Sequence, residues 1–180
     1  MADVVETTRA CGSHLSINTD TQPHSASSVI VGAPLVRPLV ASDRVEWGPL
    51  WQGYLNFLGE ILSDDVTEMT FHRLTETGPH RGLVAEVDGK VVGLVHYVFH
   101  NTTWAVLPTC YLEDLYVSSE VRGGGVGRAL IEALYRIADE EGAGTVYWFT
   151  HQTNARARVL YDKIGQLSSL VKYERADKTT

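Results

Sequence analysis

The sequence predicts a mixed α/β domain whose sheet begins with consecutive strands and ends with strands that alternate with helices. Two apolar, β-branched runs flank the dipeptide Asp88-Gly89, which is typical of a β-hairpin turn. A glycine-rich stretch, residues 122–128, directly follows a third apolar run. After it, apolar residues recur every three or four positions, which indicates an amphipathic helix. The glycine-rich stretch therefore lies at a strand-to-helix turn.

Length and composition indicate one globular domain preceded by an extension. The chain has 180 residues, of which 44% are hydrophobic, and this is enough for a full core. Residues 1–32 are rich in Ser and Thr and have neither helical nor strand periodicity. We expect them to be a disordered N-terminal extension, with the folded domain over residues 33–180.

The charge balance argues against nucleic acid as a main partner. The formal net charge is −7 at pH 7, whereas a nucleic-acid surface needs a basic face. No apolar stretch reaches the ~18 residues that span a bilayer. The acidic N-terminus, with Asp3 and Glu6, lacks the pattern of a signal peptide. We therefore expect a cytoplasmic protein that binds neither nucleic acid nor membranes.

The cysteines and histidines predict neither a disulfide framework nor a metal site. Cys11 and Cys110 lie far apart in the chain, and we expect Cys110 to be a small buried residue of a strand. The seven histidines, among them His96, His100 and His151, have no metal-ligand spacing.

Cap and turn signals place the elements of the first half. A short strand is expected at residues 35–39, and Ser42 or Asp43 can cap a helix that runs to Leu58. Gly48-Pro49 can kink or split that helix. A second helix is expected from Asp64 or Asp65 to about Thr77. The hairpin then pairs residues 82–87 with 90–99.

The second half alternates strands and helices. Residues 110–117 read as a strand, and the helix after the glycines carries an apolar stripe from Val126 to Ala138, with Gly142 as its stop. Residues 145–149 form the next strand. A further helix is expected from Asn154 to about Ile164.

The glycine-rich turn is suited to an anion. Glycines there permit positive φ and close backbone approach, while the first amides of a helix lack intrahelical acceptors and carry the positive end of its dipole. Neither the dinucleotide pattern G-x-G-x-x-G nor the P-loop pattern fits, which leaves Arg122-x-x-Gly125-x-Gly127. On its own, this pattern could also be only a tight connection.

Three blocks together resemble the GNAT superfamily of acetyl-CoA-dependent N-acetyltransferases. They are Tyr111-Leu-Glu-Asp-Leu-Tyr-Val117, Arg122-Gly-Gly-Gly-Val-Gly127 and Asn154-Ala-Arg-Ala-Arg-Val-Leu-Tyr161. The Tyr-Leu-Glu-Asp block is most similar to diamine (spermidine/spermine) and histone-and-polyamine acetyltransferases. The resemblance implies an α/β (α+β) fold with a mixed, mostly antiparallel sheet of six to seven strands and about four helices. It also implies a homodimer.

The resemblance assigns the acetyl-CoA site. It implies that the coenzyme A pyrophosphate is held by the loop amides and that the pantetheine arm pairs with the preceding strand, one of whose amides polarises the thioester carbonyl. Asn154 matches a pantetheine contact, although Asn is also a natural N-cap. The expected cofactor-binding residues are Leu115, Tyr116, Val117, Arg122, Gly123, Gly124, Gly125, Val126, Gly127, Arg128 and Asn154.

The resemblance also assigns proton transfer. Tyr161 matches the general acid that protonates the leaving thiolate, and its alternative is a core aromatic with one structural hydrogen bond. Glu113 matches the base that removes the ammonium proton and also contacts the substrate. Asp114 is a substrate-binding candidate, with a structural salt bridge as its alternative. The two carboxylates face opposite ways on an ideal strand, and a bulge could redirect either one.

Two departures from the family pattern concern the acceptor. Gly165 is followed by Gln166 rather than an aromatic residue, so we expect the last strand at residues 170–173. Residues 150–153 lack the acidic and aromatic residues of diamine acetyltransferases, which leaves polyamine specificity open. The leading hypothesis is acetylation of a small-molecule primary amine. Alternatives are acetylation of protein lysines or N-termini, a longer acyl donor, and a non-catalytic acyl-CoA-binding module.

Overall fold

The computed structural model describes residues 32–175. The predicted extension over residues 1–32 falls almost entirely outside this range, and so does Cys11. In the described part, no helix is long and apolar enough to cross a membrane.

Within residues 32–175, one five-stranded sheet forms the centre of the domain, with its strands in chain order. The first four strands pair antiparallel, whereas the fourth and fifth pair parallel. The mixed, mostly antiparallel sheet is therefore confirmed. The strands are β1 Leu35–Pro38, β2 His80–Val87, β3 Lys90–His100, β4 Thr109–Val117 and β5 Thr145–Trp148.

Four α-helices of the described part of the chain cover the sheet, as predicted. They are α1 Arg44–Leu58, α2 Asp64–Thr75, α3 Val126–Glu140 and α4 Ala155–Ile164. Two short 3-10 helices, Ala41–Asp43 and Ser119–Val121, precede α1 and α3. Pro49 lies within α1 without splitting it.

The core has two apolar clusters, one on each face of the sheet. On one face α1 and α2 bury a set built around Trp47, Trp51 and Phe71. On the other face the apolar stripe of α3 packs on β2, β3 and β4, and Leu160, Tyr161 and Ile164 of α4 pack at its margin. The sheet thus separates two layers of helices.

The hairpin turn has the backbone that its sequence predicts. Asp88 has φ 51° and Gly89 has φ 75°, so both central residues are left-handed, as a type I′ turn requires.

The predicted last strand at residues 170–173 is wrong, and the described residues contain five strands rather than six or seven. The Ser168 hydroxyl accepts a hydrogen bond from the Leu170 amide at 3.0 Å, which gives the backbone a turn in place of a ladder. Leu170, Val171 and Tyr173 are exposed and contribute nothing to the core.

Candidate functional site

A bulge in β4 shapes the edge of the site. His96 pairs with Asp114 and Tyr97 pairs with Leu112, so Glu113 is the extra residue on β4. The pairing of β4 with β5 also ends at this point, since its last partners are Leu112 and Trp148. Residues 113–117 therefore keep β3 on one side and have no strand on the other. The predicted possibility of a bulge is confirmed.

The glycine-rich loop opens directly into α3. Gly123 and Gly125 have φ 94° and 84°, which side chains other than glycine rarely adopt. The carbonyl of Gly125 accepts from the Ala129 amide at 3.0 Å. The amides of Val126, Gly127 and Arg128 come before this first helical bond and have no intrahelical acceptor. They form the donor set that a phosphate needs.

Arg122 is fixed at the end of β4. Its Nε donates to the carbonyl oxygen of Val117 at 2.9 Å, and its guanidinium group lies 5.4 Å from the centre of the Tyr116 ring. The side chain is thus oriented by a hydrogen bond and by an aromatic face.

A cavity of about 450 Å³ extends from this loop to α4. Most of the predicted cofactor-binding residues line it, together with Tyr161. Gly124 does not, and its amide donates to the Val121 carbonyl at 3.3 Å. The lining contains Arg122, Arg128, Arg156 and Lys163 but no carboxylate, although the chain has a net charge of −7. The basic wall and the free amides fit a ligand with several phosphates.

Asn154 and Tyr161 line this cavity from α4, as their spacing of seven residues predicts. The side chain of Asn154 accepts from the Ala157 amide at 3.4 Å, so its role as N-cap is confirmed. The Tyr161 ring meets Trp148 edge-on at 5.4 Å. Burial raises the pKa of Tyr161, so the hydroxyl keeps its proton at neutral pH.

Asp114 is half-buried on the face covered by α1. Its Oδ2 lies 2.9 Å from Nδ1 of His96, and Arg or Lys makes no ion pair with it within the described chain. Within the described chain, the partner of Asp114 is therefore the buried imidazole of His96 rather than an Arg or Lys side chain. Glu113, on the bulge, is exposed.

Tyr54 of α1 is partly buried, and the charge of Asp114 acts on its hydroxyl. The pKa of Tyr54 is raised first by burial and then by the charge of Asp114, with smaller contributions from Tyr111 and Tyr161. Burial, followed by Glu113 and Asp114, likewise raises the pKa of Tyr111. Tyr54 therefore lies within electrostatic range of Asp114 and Tyr161, and Tyr111 lies within range of both carboxylates.

Several residues with candidate chemistry serve the fold instead. Glu46 accepts from the Val91 amide at 3.2 Å, which joins α1 to β3. Cys110 is fully buried, as predicted, and burial raises its pKa to about 11, so its thiol is unreactive at neutral pH. Within residues 32–175, no group of three or more His, Cys, Asp or Glu side chains is arranged to hold a metal ion.

The comparison with protein families decides the identity of this fold. Residues 47–166 match the model of the acetyltransferase (GNAT) family. The chain belongs to this family. It is therefore an acetyl-CoA-dependent N-acetyltransferase, and the basic cavity fits the acetyl-CoA that GNAT enzymes use.

Named relatives agree with this membership. The chain is 37% identical to a D-amino-acid N-acetyltransferase of Saccharomyces cerevisiae, over 78% of this chain and 89% of the relative. It is 36% identical to a thialysine N-epsilon-acetyltransferase of Bos taurus, over 42% of this chain and 44% of the relative. The fold resembles the solved ribosomal-protein-alanine N-acetyltransferase of Brucella melitensis, with a TM-score of 0.71 and 24% identity over 81% of this chain and all of that one.

Three features of this GNAT site are not among those predicted from the sequence. Arg156 and Lys163 have the same seven-residue spacing as Asn154 and Tyr161, and this periodicity could have placed them on the cavity wall. Phe57 also lines the cavity, whereas the sequence predicts only that it belongs to a helix. The link between His96 and Asp114 had no sequence signal beyond the presence of His96 on a predicted strand.

Proposed function

We propose that this GNAT enzyme acetylates the primary amine of a small molecule by direct transfer from acetyl-CoA. The observation that carries the proposal is the position of Tyr161, which lines the same cavity as the glycine-rich loop and the basic side chains. Its protonated hydroxyl can act as the acid, and β4, whose residues 115–117 line the same cavity, supplies Glu113 as the base.

The donor is held by its phosphates and its arm. The amides of Val126, Gly127 and Arg128 donate to the pyrophosphate, and Arg122 adds charge-assisted hydrogen bonds. The free edge of β4 at residues 115–117 offers backbone groups to the pantetheine arm, and Asn154 contacts it from α4. When bound, acetyl-CoA supplies a thioester carbonyl carbon to the acceptor.

During the reaction the nitrogen loses two protons and the sulfur gains one. An alkylammonium group has a pKa near ~10, so it must lose a proton before its nitrogen forms the new C–N bond. Glu113 accepts that proton, directly or through one water, while Asp114 holds the ammonium group. As the C–S bond breaks, Tyr161 gives its proton to the departing sulfur, and the second proton lost by the nitrogen restores the Tyr161 hydroxyl.

The class of acceptor follows from the negative charge of Glu113 and Asp114. Within residues 32–175, Glu113 and Asp114 have no Arg or Lys partner, so their end of the site attracts cations. The relatives named for D-amino acids and for thialysine both act on small amines, which supports a small-molecule acceptor rather than a protein.

Release of free coenzyme A thiol tests this function. The purified chain is mixed with acetyl-CoA and with spermidine, D-lysine, thialysine, kanamycin or a lysine-containing peptide. We expect turnover with at least one small amine and a much lower kcat/KM for the peptide. Turnover with the peptide alone would replace the proposal with protein acetylation, and coenzyme A binding without any turnover would indicate a binding module.

We also propose that the enzyme is a cytoplasmic homodimer that binds neither nucleic acid nor membranes. The acidic net charge supports the absence of a nucleic-acid partner, and similarity to GNAT proteins supports the dimer. Light scattering of the purified chain at several concentrations measures the oligomeric state.

A further inference from the structure

A chain of two hydrogen bonds runs from the buried core to Asp114. The indole Nε1 of Trp47 lies 3.0 Å from Nε2 of His96, and Nδ1 of His96 lies 2.9 Å from Oδ2 of Asp114. An indole N–H can only donate, so Nε2 of His96 accepts. The imidazole proton is then on Nδ1, which donates to Asp114. His96 is therefore neutral, and its contact with Asp114 is a charge-assisted hydrogen bond rather than an ion pair.

The imidazole has no freedom to turn away. His96 is 2% exposed and Trp47 is fully buried. The ring of His96 lies 5.8 Å from that of Trp47 and 5.2 Å from that of Trp51. Since rotation would break both hydrogen bonds inside a packed core, the Nδ1–H group points in one fixed direction.

The bulge at Glu113 places the Asp114 side chain opposite the Nδ1–H group of His96. Asp114 and His96 face each other across β4 and β3 at the last regular pair before Glu113. The Asp114 side chain is 17% exposed, against 2% for His96. The carboxylate therefore has a buried, rigid partner at Oδ2 and remains partly accessible.

The negative charge of Asp114 is not neutralised by an Arg or Lys side chain of the described residues, so it is available to a ligand. In the described residues no basic side chain pairs with it, and its fixed partner is a neutral imidazole. The nearby phenols of Tyr54 and Tyr111 are also neutral at pH 7, because burial is the main cause that raises the pKa of each. A half-buried carboxylate with only neutral partners favours a cation.

From these contacts we infer that His96 is a positioning residue for the acceptor amine. It fixes the orientation of Asp114, so that the carboxylate binds the ammonium group before its proton is removed. The inference rests on the proposed amine acetylation and extends it to a residue outside the family's motif blocks. It differs from a purely structural role because it predicts an effect on amine binding alone.

Three substitutions separate these roles. His96→Asn keeps an amide N–H near the position of Nδ1, so it can still donate to Asp114. His96→Gln keeps a polar group within reach of Trp47 but has no donor at the Nδ1 position. His96→Phe removes both bonds. His100→Asn is the control, since His100 lies exposed on the same strand and bonds the Tyr147 hydroxyl at 3.0 Å.

Steady-state kinetics with acetyl-CoA and the best amine of the panel give the readout. We expect the KM for the amine to rise about tenfold or more in His96→Gln and His96→Phe, because a charge-assisted hydrogen bond is lost. The KM for acetyl-CoA should stay within about twofold of wild type. His96→Asn should recover most of the loss, and His100→Asn should match wild type. Equal changes in both KM values, or no difference between His96→Asn and His96→Phe, would overturn the inference.

A binding measurement makes the test independent of turnover. In protein labelled with ¹⁵N-histidine, His96 should be a single neutral tautomer with its proton on Nδ1. Its signals should shift on addition of 1,4-diaminobutane but not of uncharged 1,4-butanediol, and Asp114→Asn should abolish the shift. A proton on Nε2, or equal shifts with the diol, would contradict the inference even if the enzyme acetylates an amine. A normal response without turnover would instead contradict only the proposed function.

Discussion

Arg122 donates its Nε–H to the carbonyl oxygen of Val117 at 2.9 Å, so the residue that begins the glycine-rich loop holds the end of the strand before it. One donor of the guanidinium group is used for this bond, and the remaining donors are available to a phosphate. The strand end and the anion site are therefore built as one unit.

Removal of this side chain should weaken the donor site. We expect Arg122→Ala to raise the Kd of coenzyme A about tenfold or more, since charge-assisted bonds to phosphate are lost. Arg122→Lys should recover little, because an ammonium group cannot both bond Val117 and face a phosphate in the same geometry. Isothermal titration calorimetry measures both. Arg136→Ala, on an exposed position of α3 away from the cavity, is the control, and an equal loss there would contradict a specific role for Arg122.

The left-handed backbone of Gly125 gives a second prediction. Gly125→Ala should lower the free energy of unfolding by about 1 kcal/mol and also weaken coenzyme A binding, because a Cβ at φ 84° is strained. Gly144→Ala is the matched control, since a Cβ there meets nothing within 4 Å and its φ is not positive. Urea unfolding measures the stability of both variants. A Gly125→Ala protein as stable as the control would contradict the strain.

The two stacked tryptophans of α1 should respond differently to the same change. Their rings lie 5.6 Å apart, but only Trp47 has a hydrogen-bond partner, while the buried Nε1 of Trp51 has none among the described residues. Trp47→Phe should therefore cost about 1–3 kcal/mol more than Trp51→Phe, because it leaves Nε2 of His96 unpaired. Thermal unfolding of both variants checks this. Equal losses would show that packing alone stabilises Trp47.

Substitutions of Glu113 and Asp114 should change different kinetic constants. Glu113→Gln should lower kcat about 10²-fold with little change in the KM for the amine, as expected for a general base. Asp114→Asn should raise the KM for the amine with a smaller effect on kcat. Thiol release at varied amine concentrations distinguishes the two patterns. The reverse pattern would exchange the two roles.

Most of the fold could be predicted because local signals agree with tertiary packing. The hairpin at Asp88-Gly89 and the stripe of α3 follow from turn chemistry and helical periodicity. The prediction of a strand at residues 170–173 is wrong because the Leu170 amide donates to the Ser168 hydroxyl instead of to a neighbouring strand. Hydrophobic periodicity gives no sign of this local hydrogen bond.

The candidate site was predictable where its residues share one element. Asn154 and Tyr161 lie two turns apart on one helix, so spacing alone places them together. His96 and Asp114 meet only through the register of β3 and β4, which the bulge at Glu113 sets. A bulge adds one residue to one strand of a pair and so changes which residues face each other. The hydrophobic pattern of a single strand does not show its pairing partners.

The pH dependence of kcat should reflect Tyr161 on its alkaline side. Burial raises the pKa of this hydroxyl above the ordinary tyrosine value of about 10, so the acid form is present at all lower pH values. As pH rises through the raised pKa, the proton is lost and kcat should fall. A pH–rate profile measures this. A fall in kcat near neutral pH, absent from Tyr161→Phe, would contradict the assignment.

The most direct test compares Tyr161→Phe with Tyr135→Phe in the acetyl-transfer assay. Both tyrosines pack at the margin of the same apolar cluster, but the Tyr135 hydroxyl donates to the Ile164 carbonyl at 2.8 Å and serves structure. We predict that Tyr161→Phe lowers kcat about 10²-fold or more with both KM values nearly unchanged, whereas Tyr135→Phe keeps wild-type kcat. A Tyr161→Phe enzyme with wild-type kcat would contradict this prediction.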